Sequence, residues 1–299
     1  MQAEIVLWHK NSNKKVLTVT FFDDNIKSDR DSDGSEFIII MKKNSKFFSG
    51  LLSVITVLVV FCVWFFVSNY SDIKASLLPT PQSVLDAFVT ICRDGYKGHT
   101  FLQHIGASLG RLMTAFLLSV VIGVPLGLAG GANRFVRAVV NTFIEFYRPL
   151  PPLAYYTLLV LWFGIGNESK VILLFLACLA PIYVSCSSAV IKVNENYINC
   201  AKTLGASRGK IFTRVIMPAC LPDIFTGIKT AIGVGYTTLV AAEMVAAKSG
   251  IGWIALDAGN YLRSDVVFCI VFVMGITGML IDLVLKTIEK KVVYWNGKQ

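Results

Sequence analysis

An all-α membrane protein with six transmembrane helices is the fold this sequence predicts, and three observations predict it. The chain has 299 residues, 55% hydrophobic and only 16% charged, with a mean hydropathy of +0.63. A soluble domain carries about a quarter charged residues, so the deficit points to lipid. Six stretches approach the ~20 apolar residues that cross a bilayer as helix. Lysine and arginine are also divided unequally between the loops that join them.

Met1 to Ile40 differs from the rest of the chain. Asp23 to Glu36 is polar and acid-rich, a composition that buries too little apolar surface to fold. Met41-Lys42-Lys43-Asn44-Ser45-Lys46 then sets positive charge directly before the first apolar span. Residues 1–40 are therefore expected to be a polar, disordered extension. It is either upstream sequence translated ahead of a start at Met41 or a genuine flexible tail. The first span, Phe47 to Val67, is too long for a cleaved signal peptide.

Leu78-Pro79-Thr80-Pro81 is a stiff break, after which Gln82 to Arg93 reads as a short helix outside the membrane, capped by Thr80 or Ser83. The second span, Ser108 to Ala129, carries a ladder of Gly123, Gly127 and Gly131 that lets another helix approach closely. Pro125 within it is expected to kink or loosen the helix.

The third span, Phe143 to Phe163, holds Glu145, Arg148, Pro149, Pro151 and Pro152 within eight residues. Glu145 and Arg148 are three apart, a spacing that lets them pair on one helix side. Three prolines preclude a regular helix, and broken helices at membrane depth occur where they pack in protein or line a cavity. This segment, with Tyr155, is a candidate for a translocation path. The competing reading is a kink near the cytoplasmic interface with a snorkelling arginine.

Val171 to Val190 is an uninterrupted fourth span. Gly227 to Ala247, the fifth, is rich in small residues and contains Thr237 and Glu243. A carboxylate in hydrocarbon costs a few kcal/mol, so Glu243 faces a partner or water. It either caps the path or pairs with an outer residue such as Lys248 or Arg263. Val266 to Ile288 is the sixth span, with Asp282 expected at an interface.

With the N-terminus inside, fourteen lysines and arginines fall on the cytoplasmic side. Six, at Lys74, Arg93, Lys97, Lys170, Lys248 and Arg263, fall outside. The net charge of +9 is then a topological signal, since no basic stripe with interleaved aromatics exists to bind nucleic acid. Seven cysteines, odd in number and without a Cys-x-x-Cys pair, and three scattered histidines imply neither a disulfide framework nor a metal site.

Between the fourth and fifth spans, where a short turn would suffice, lies a polar helix–turn–helix. It runs from Asn199-Cys200-Ala201-Lys202-Thr203-Leu204-Gly205-Ala206-Ser207 to Met217-Pro218. Tyr197, Ile198, Ala201 and Leu204 share one helical face, as do Ile211, Phe212, Val215 and Ile216. Gly205 is expected to end the first helix in the left-handed conformation, and Pro218 to end the second. The charge bias puts this loop in the cytoplasm. An amphipathic helix lying on the membrane is the bland alternative.

The spacing resembles the EAA loop of ABC-importer permeases: Glu-Ala-Ala, three residues, Gly, nine residues, then aliphatic-x-Leu-Pro. Those places are Asn199, Cys200 and Ala201, then Gly205, then Val215, Met217 and Pro218. From about Leu77 onward the chain resembles the nitrate/sulfonate/taurine branch of that family. The matching segments are Phe146 to Ala154, Leu161 to Gly166, Thr203 to Ser207, Leu239 to Glu243 and Ser249 to Gly252. The Tyr-Arg-Pro-x-Pro-Pro-Leu-Ala run and Gly233-Val234-Gly235-Tyr236 look most like taurine permeases.

The resemblance implies a type I ABC-importer permease (MetI-like) architecture over residues 41–299, with a cytoplasmic coupling loop at 194–218. It implies translocation of a small anion, taurine or another sulfonate, across a bacterial inner membrane, with both termini cytoplasmic. Nitrate, bicarbonate or another small organic substrate is the alternative within the family. Implied partners are two copies of an ABC ATPase, an extracytoplasmic binding protein and a second copy of this chain. ATP and Mg would be bound by the ATPase and no cofactor by this chain. Asn199, Cys200, Ala201, Leu204, Gly205, Ala206 and Ser207 would meet the ATPase. Asn199 stands where the family has Glu, so a charge-assisted contact becomes neutral.

No catalytic residues are expected. The string Gly205-Ala206-Ser207-Arg208-Gly209-Lys210 has the wrong glycine spacing for a phosphate loop and is followed by Ile211. An ion-coupled carrier is the rival class. It would need several buried ionisable groups and inverted repeats, and it leaves the polar loop unexplained.

Overall fold

The computed structural model describes residues 5–11, 14–20, 45–70, 74 and 76–294, as backbone alone up to residue 50. The chain divides into two units, Met1–Leu58 and Val59–Gln299. In the first, β1 (Ile5–Asn11) and β2 (Lys14–Thr20) pair antiparallel, from Ile5 opposite Thr20 to Asn11 opposite Lys14. Val and Thr recur in β2, residues that fit a pleated ribbon. This hairpin falls inside the expected polar extension. The acid-rich tract from Asp23 to Glu36 and Met41 lie outside the described residues.

Helix α1 (Ser45–Tyr70) carries the first apolar span, and α2 (Pro81–Asp94) follows the proline break. As expected, Thr80 caps α2, its hydroxyl oxygen accepting from the Ser83 amide. Helix α3 (Phe101–Ala132) runs unbroken through Pro125. The third span is two helices, α4 (Arg134–Tyr147) and α5 (Pro152–Phe163), parted at Arg148-Pro149-Leu150-Pro151. Arg148 still has helical angles, but Pro149 and Pro151 lack the N–H that would continue the ladder, and Pro152 holds Pro151 extended at ψ 128°, so the helix breaks there. Helix α6 (Asn167–Lys192) is the fourth span.

The loop then folds as α7 (Glu195–Thr203) and α8 (Arg208–Ile211), followed by a π-helical turn over Phe212–Ile216 and α9 (Met217–Ala246). Pro218 therefore does not end the second helix, contrary to its expected role. It sits in the first turn of α9, and the wider turn ahead of it absorbs the missing N–H. The result is one apolar stretch from Arg208 to Ala246. A short α10 (Ile251–Asn260) and the last span, α11 (Ser264–Val292), complete the fold. Five of these helices are long and apolar enough to cross a membrane, and α5 adds a shorter apolar segment to the broken crossing.

Helices α3, α6 and α9 form the centre, with Leu112, Leu174, Cys178, Ile182 and Leu239 buried between them. The glycine ladder makes this close approach possible. A Cβ on Gly127 would stand 2.5 Å from Cys186 Cβ, and one on Gly131 2.5 Å from Val190 Cβ. A second cluster joins α2, α10 and α11 through Val84, Ile91, Ile254 and Ile270 at the end of the bundle remote from the α7–α8 loop.

Candidate functional site

Helices α4 and α5 lie antiparallel beside α6. Tyr183 Oη donates to Asn141 Oδ1 (2.8 Å), Tyr147 Oη donates to the Leu176 carbonyl (3.3 Å), and Tyr156 packs with Leu173. Arg148 thus stands level with about residue 176 of a helix that runs from 167 to 192. At 1.5 Å per residue this is roughly 13 Å from one end and 24 Å from the other, so Arg148 stands level with the interior of α6 and not with either of its ends.

Arg148 borders a cleft of about 410 Å³ between the α4–α5 break, α6 and α9, together with Tyr147, Tyr155, Ser185, Thr230 and Val234. Its guanidinium has no hydrogen bond or ion pair to the described residues. The expected pairing with Glu145 does not form: the Glu145 carboxylate instead accepts from Asn141 Nδ2 at 3.3 Å. On α9 Thr226, Thr230, Gly233, Val234 and Thr237 are exposed, and Thr230 and Val234 line the cleft. Their threonine hydroxyls donate to carbonyls of their own helix. The exposed face of α11 is by contrast Val271, Phe272, Ile276, Leu280 and Leu283. The exposed face of α9 is thus more polar than that of α11.

Glu243 is elsewhere. It is fully buried and pairs with Arg111 of α3, Nη1 to Oε1 2.6 Å, and not with Lys248 or Arg263. Arg263 pairs instead with Asp265 (3.1 Å). The Ser108 hydroxyl donates to both carboxylate oxygens (2.8 and 2.9 Å) and accepts from the Ile251 amide (2.9 Å), while the Gly252 amide donates to Oε2 (3.0 Å). Arg111 also donates to Asn167 Oδ1, the Ser249 carbonyl and Ser249 Oγ. Gly250 adopts φ +131°, and a side chain there would strike the Glu243 carboxylate. Its amide donates to His104 Nδ1 (3.1 Å), which fixes the neutral tautomer whose Nε2–H donates to the Tyr96 carbonyl (3.2 Å). Sequence reasoning missed Arg111, although a lone arginine inside the apolar run from Ser108 was a visible signal.

Nearby, outside the spans, Asp257 accepts from Tyr96 Oη (2.7 Å) and Lys97 Nζ (2.9 Å). Burial favours the neutral acid, but the bonds from Lys97 and Tyr96 outweigh it and hold the carboxyl below its usual range. Burial and the bond to Asp257 push the Tyr96 phenol well above its ordinary value.

At the opposite end, α7 terminates as expected. Gly205 takes φ +76°, its amide donates to the Lys202 carbonyl (2.9 Å), and the Ala206 amide donates to the Ala201 carbonyl (3.0 Å). These are the paired bonds of a Schellman motif. No residue of α7 is buried, and Tyr197 and Leu204 are 62% and 82% exposed. An apolar pair held out on a polar helix is a surface that a partner would cover.

A broken crossing beside three central helices, a cleft with one arginine among its described lining residues and an exposed helical loop suit a membrane transport subunit. Residues 123–294 match the family of binding-protein-dependent transport system inner membrane components, and the chain belongs to that family. It is 41% identical over 248 residues to the taurine transport system permease protein TauC of Escherichia coli, covering 83% of this chain and 90% of that protein. It is 32% identical to the putative aliphatic sulfonates permease SsuC of the same organism, covering 78% and 88%. The bicarbonate permease CmpB of Synechococcus elongatus is 31% identical, covering 71% and 80%. The inward-facing MetNI methionine ABC transporter matches with a TM-score of 0.55 at 18% identity, over 64% of this chain and 95% of that one. The chain is therefore the membrane-spanning permease of an ABC importer, which works with an ATPase and a binding protein. The ion-coupled carrier is set aside.

Proposed function

We propose that this permease imports taurine or another small sulfonate, as a homodimer docked on two ATPase subunits that hold the ATP and Mg. The observation that carries the reading is Arg148, a guanidinium deep in the span on the wall of a largely apolar cleft, unpaired among the described residues. An unpaired cation at membrane depth, exposed to a cleft, marks a route for anions. The path runs past Arg148 and Tyr155 and along the threonine face of α9 to Thr237. Glu145 flanks it, and Glu243 braces its far end through Arg111. The relatives named for taurine and sulfonates support the cargo.

The α7–α8 loop is the coupling element, facing the cytoplasm with both termini. Leu204, Gly205, Ala206 and Ser207 form its turn, and Asn199, Cys200 and Ala201 its helix. Asn199 is exposed and neutral, so docking rests on the shape set by Gly205 and on the apolar Tyr197 and Leu204. Co-purification with a co-expressed candidate ABC ATPase tests this role. The wild-type chain retains the ATPase. Gly205→Val, strained at a positive φ, inserts normally and loses it. Normal ATPase retention and transport by that variant would refute the coupling role.

A further inference from the structure

We infer that the Arg148 cleft selects a small anion carrying a short apolar stem and does not read an amine at the stem's other end. The inference rests on the cleft being the substrate's path. Among the described residues, Arg148 is the one charged side chain on the wall, and no carboxylate lines it. The nearby acids lie off the wall. Glu243 is held by Arg111 and Glu145 accepts from Asn141. Asp223 precedes Thr230 on α9 by seven residues, roughly 10 Å along the helix.

The rest of the wall sorts into two kinds. Tyr155, Ser185 and Thr230 offer neutral hydroxyls, and Leu176, Val184 and Val234 offer apolar surface. A guanidinium presents a planar set of donors suited to a sulfonate. The apolar wall matches a two- or three-carbon stem, and a volume near 410 Å³ suits a small ligand. An ammonium at the end of that stem meets no opposite charge. Taurine and ethanesulfonate therefore present the same features to the cleft. Nitrate satisfies the arginine but leaves the apolar wall unmatched. Discrimination for the amine must then lie with another component, of which the binding protein is the one that meets substrate first.

The test is equilibrium binding of radiolabelled taurine to the permease–ATPase complex in nanodiscs, without binding protein, with ethanesulfonate and nitrate as competitors. Ethanesulfonate is expected to compete within about threefold of taurine, and nitrate at least about tenfold more weakly. Losing a hydrogen bond to a charged group should weaken binding by about ten- to a hundredfold in Arg148→Gln. Arg148→Lys should recover part of that loss, and Asp223→Asn should change nothing. Complex assembly and basal ATP hydrolysis, measured on each variant, separate misfolding from lost contact. If Arg148→Gln does not assemble, the competition pattern of the wild-type complex decides. A taurine preference above about tenfold, equal competition by nitrate, or no taurine binding by the assembled wild-type complex overturns the inference. The importer reading itself would stand in each case, because it falls only if the ATPase complex fails to form or to transport.

Discussion

Arg111 and Glu243, 132 residues apart in sequence, form a 2.6 Å ion pair that is 9% and 0% exposed at its two ends. The pair ties α3 to α9, and through Ser249, Gly252 and Asn167 it also ties down the turn into α10 and the start of α6. It thereby cross-links the ends of the three central helices remote from the α7–α8 loop.

Breaking such a pair leaves an uncompensated buried charge, at a cost of about 3–5 kcal/mol. Arg111→Met should therefore lower the unfolding temperature of the purified protein sharply. The double variant Arg111→Met with Glu243→Met should recover much of that loss, since no lone charge remains. Thermal unfolding in detergent checks both. A double variant as unstable as the sum of the singles would remove the ion pair from the explanation.

Gly127 tests the packing of α3 on α6. A methyl there meets the Tyr183 carbonyl as well as the Cys186 side chain, so the helices must part. Gly127→Ala should destabilise by about 1–3 kcal/mol. Gly110→Ala, in open space on the same helix, should be neutral or slightly stabilising. Chemical unfolding of the two variants side by side distinguishes a site-specific clash from a general helix effect.

The Asp257 cluster carries a pH dependence. Its carboxyl is held below the usual value by Lys97 and Tyr96 against the opposing effect of burial. A depressed acid contributes stability that is present above the unfolded value, about 3.9, and lost as pH falls through the folded value. Asp257→Asn should accordingly be less stable than the wild type at neutral pH, with the gap closing below about pH 4. Unfolding midpoints across that range decide it, and a constant gap would contradict the assignment.

Legibility of the sequence followed the range of the interactions. The Gly205 turn, the Thr80 cap and the break at Pro149 and Pro151 were readable because each is set by residues within one or two turns of the chain. The partner of Glu243 was not, because Arg111 arrives only once α3 and α9 pack, and Lys248 looked nearer in sequence. Pro218 misled for a related reason. A proline is also at home in the first turn of a helix, and the π-helical turn at Phe212–Ile216 that joins α8 to α9 is invisible to a 3.6-residue period. Arg148 was found in sequence, but its depth emerged only from the register that Tyr147 and Tyr183 impose on α6.

The central claim is that this chain is the path of an ATP-driven importer whose cargo is a sulfonate. The most direct measurement is uptake of radiolabelled taurine into proteoliposomes holding this permease and its ATPase, with the binding protein outside and ATP inside. Uptake should require all three proteins and ATP, and should fall at least about tenfold in Arg148→Gln, as expected for a lost charged hydrogen bond. Uptake by the chain alone, or uptake indifferent to ATP, would contradict the account.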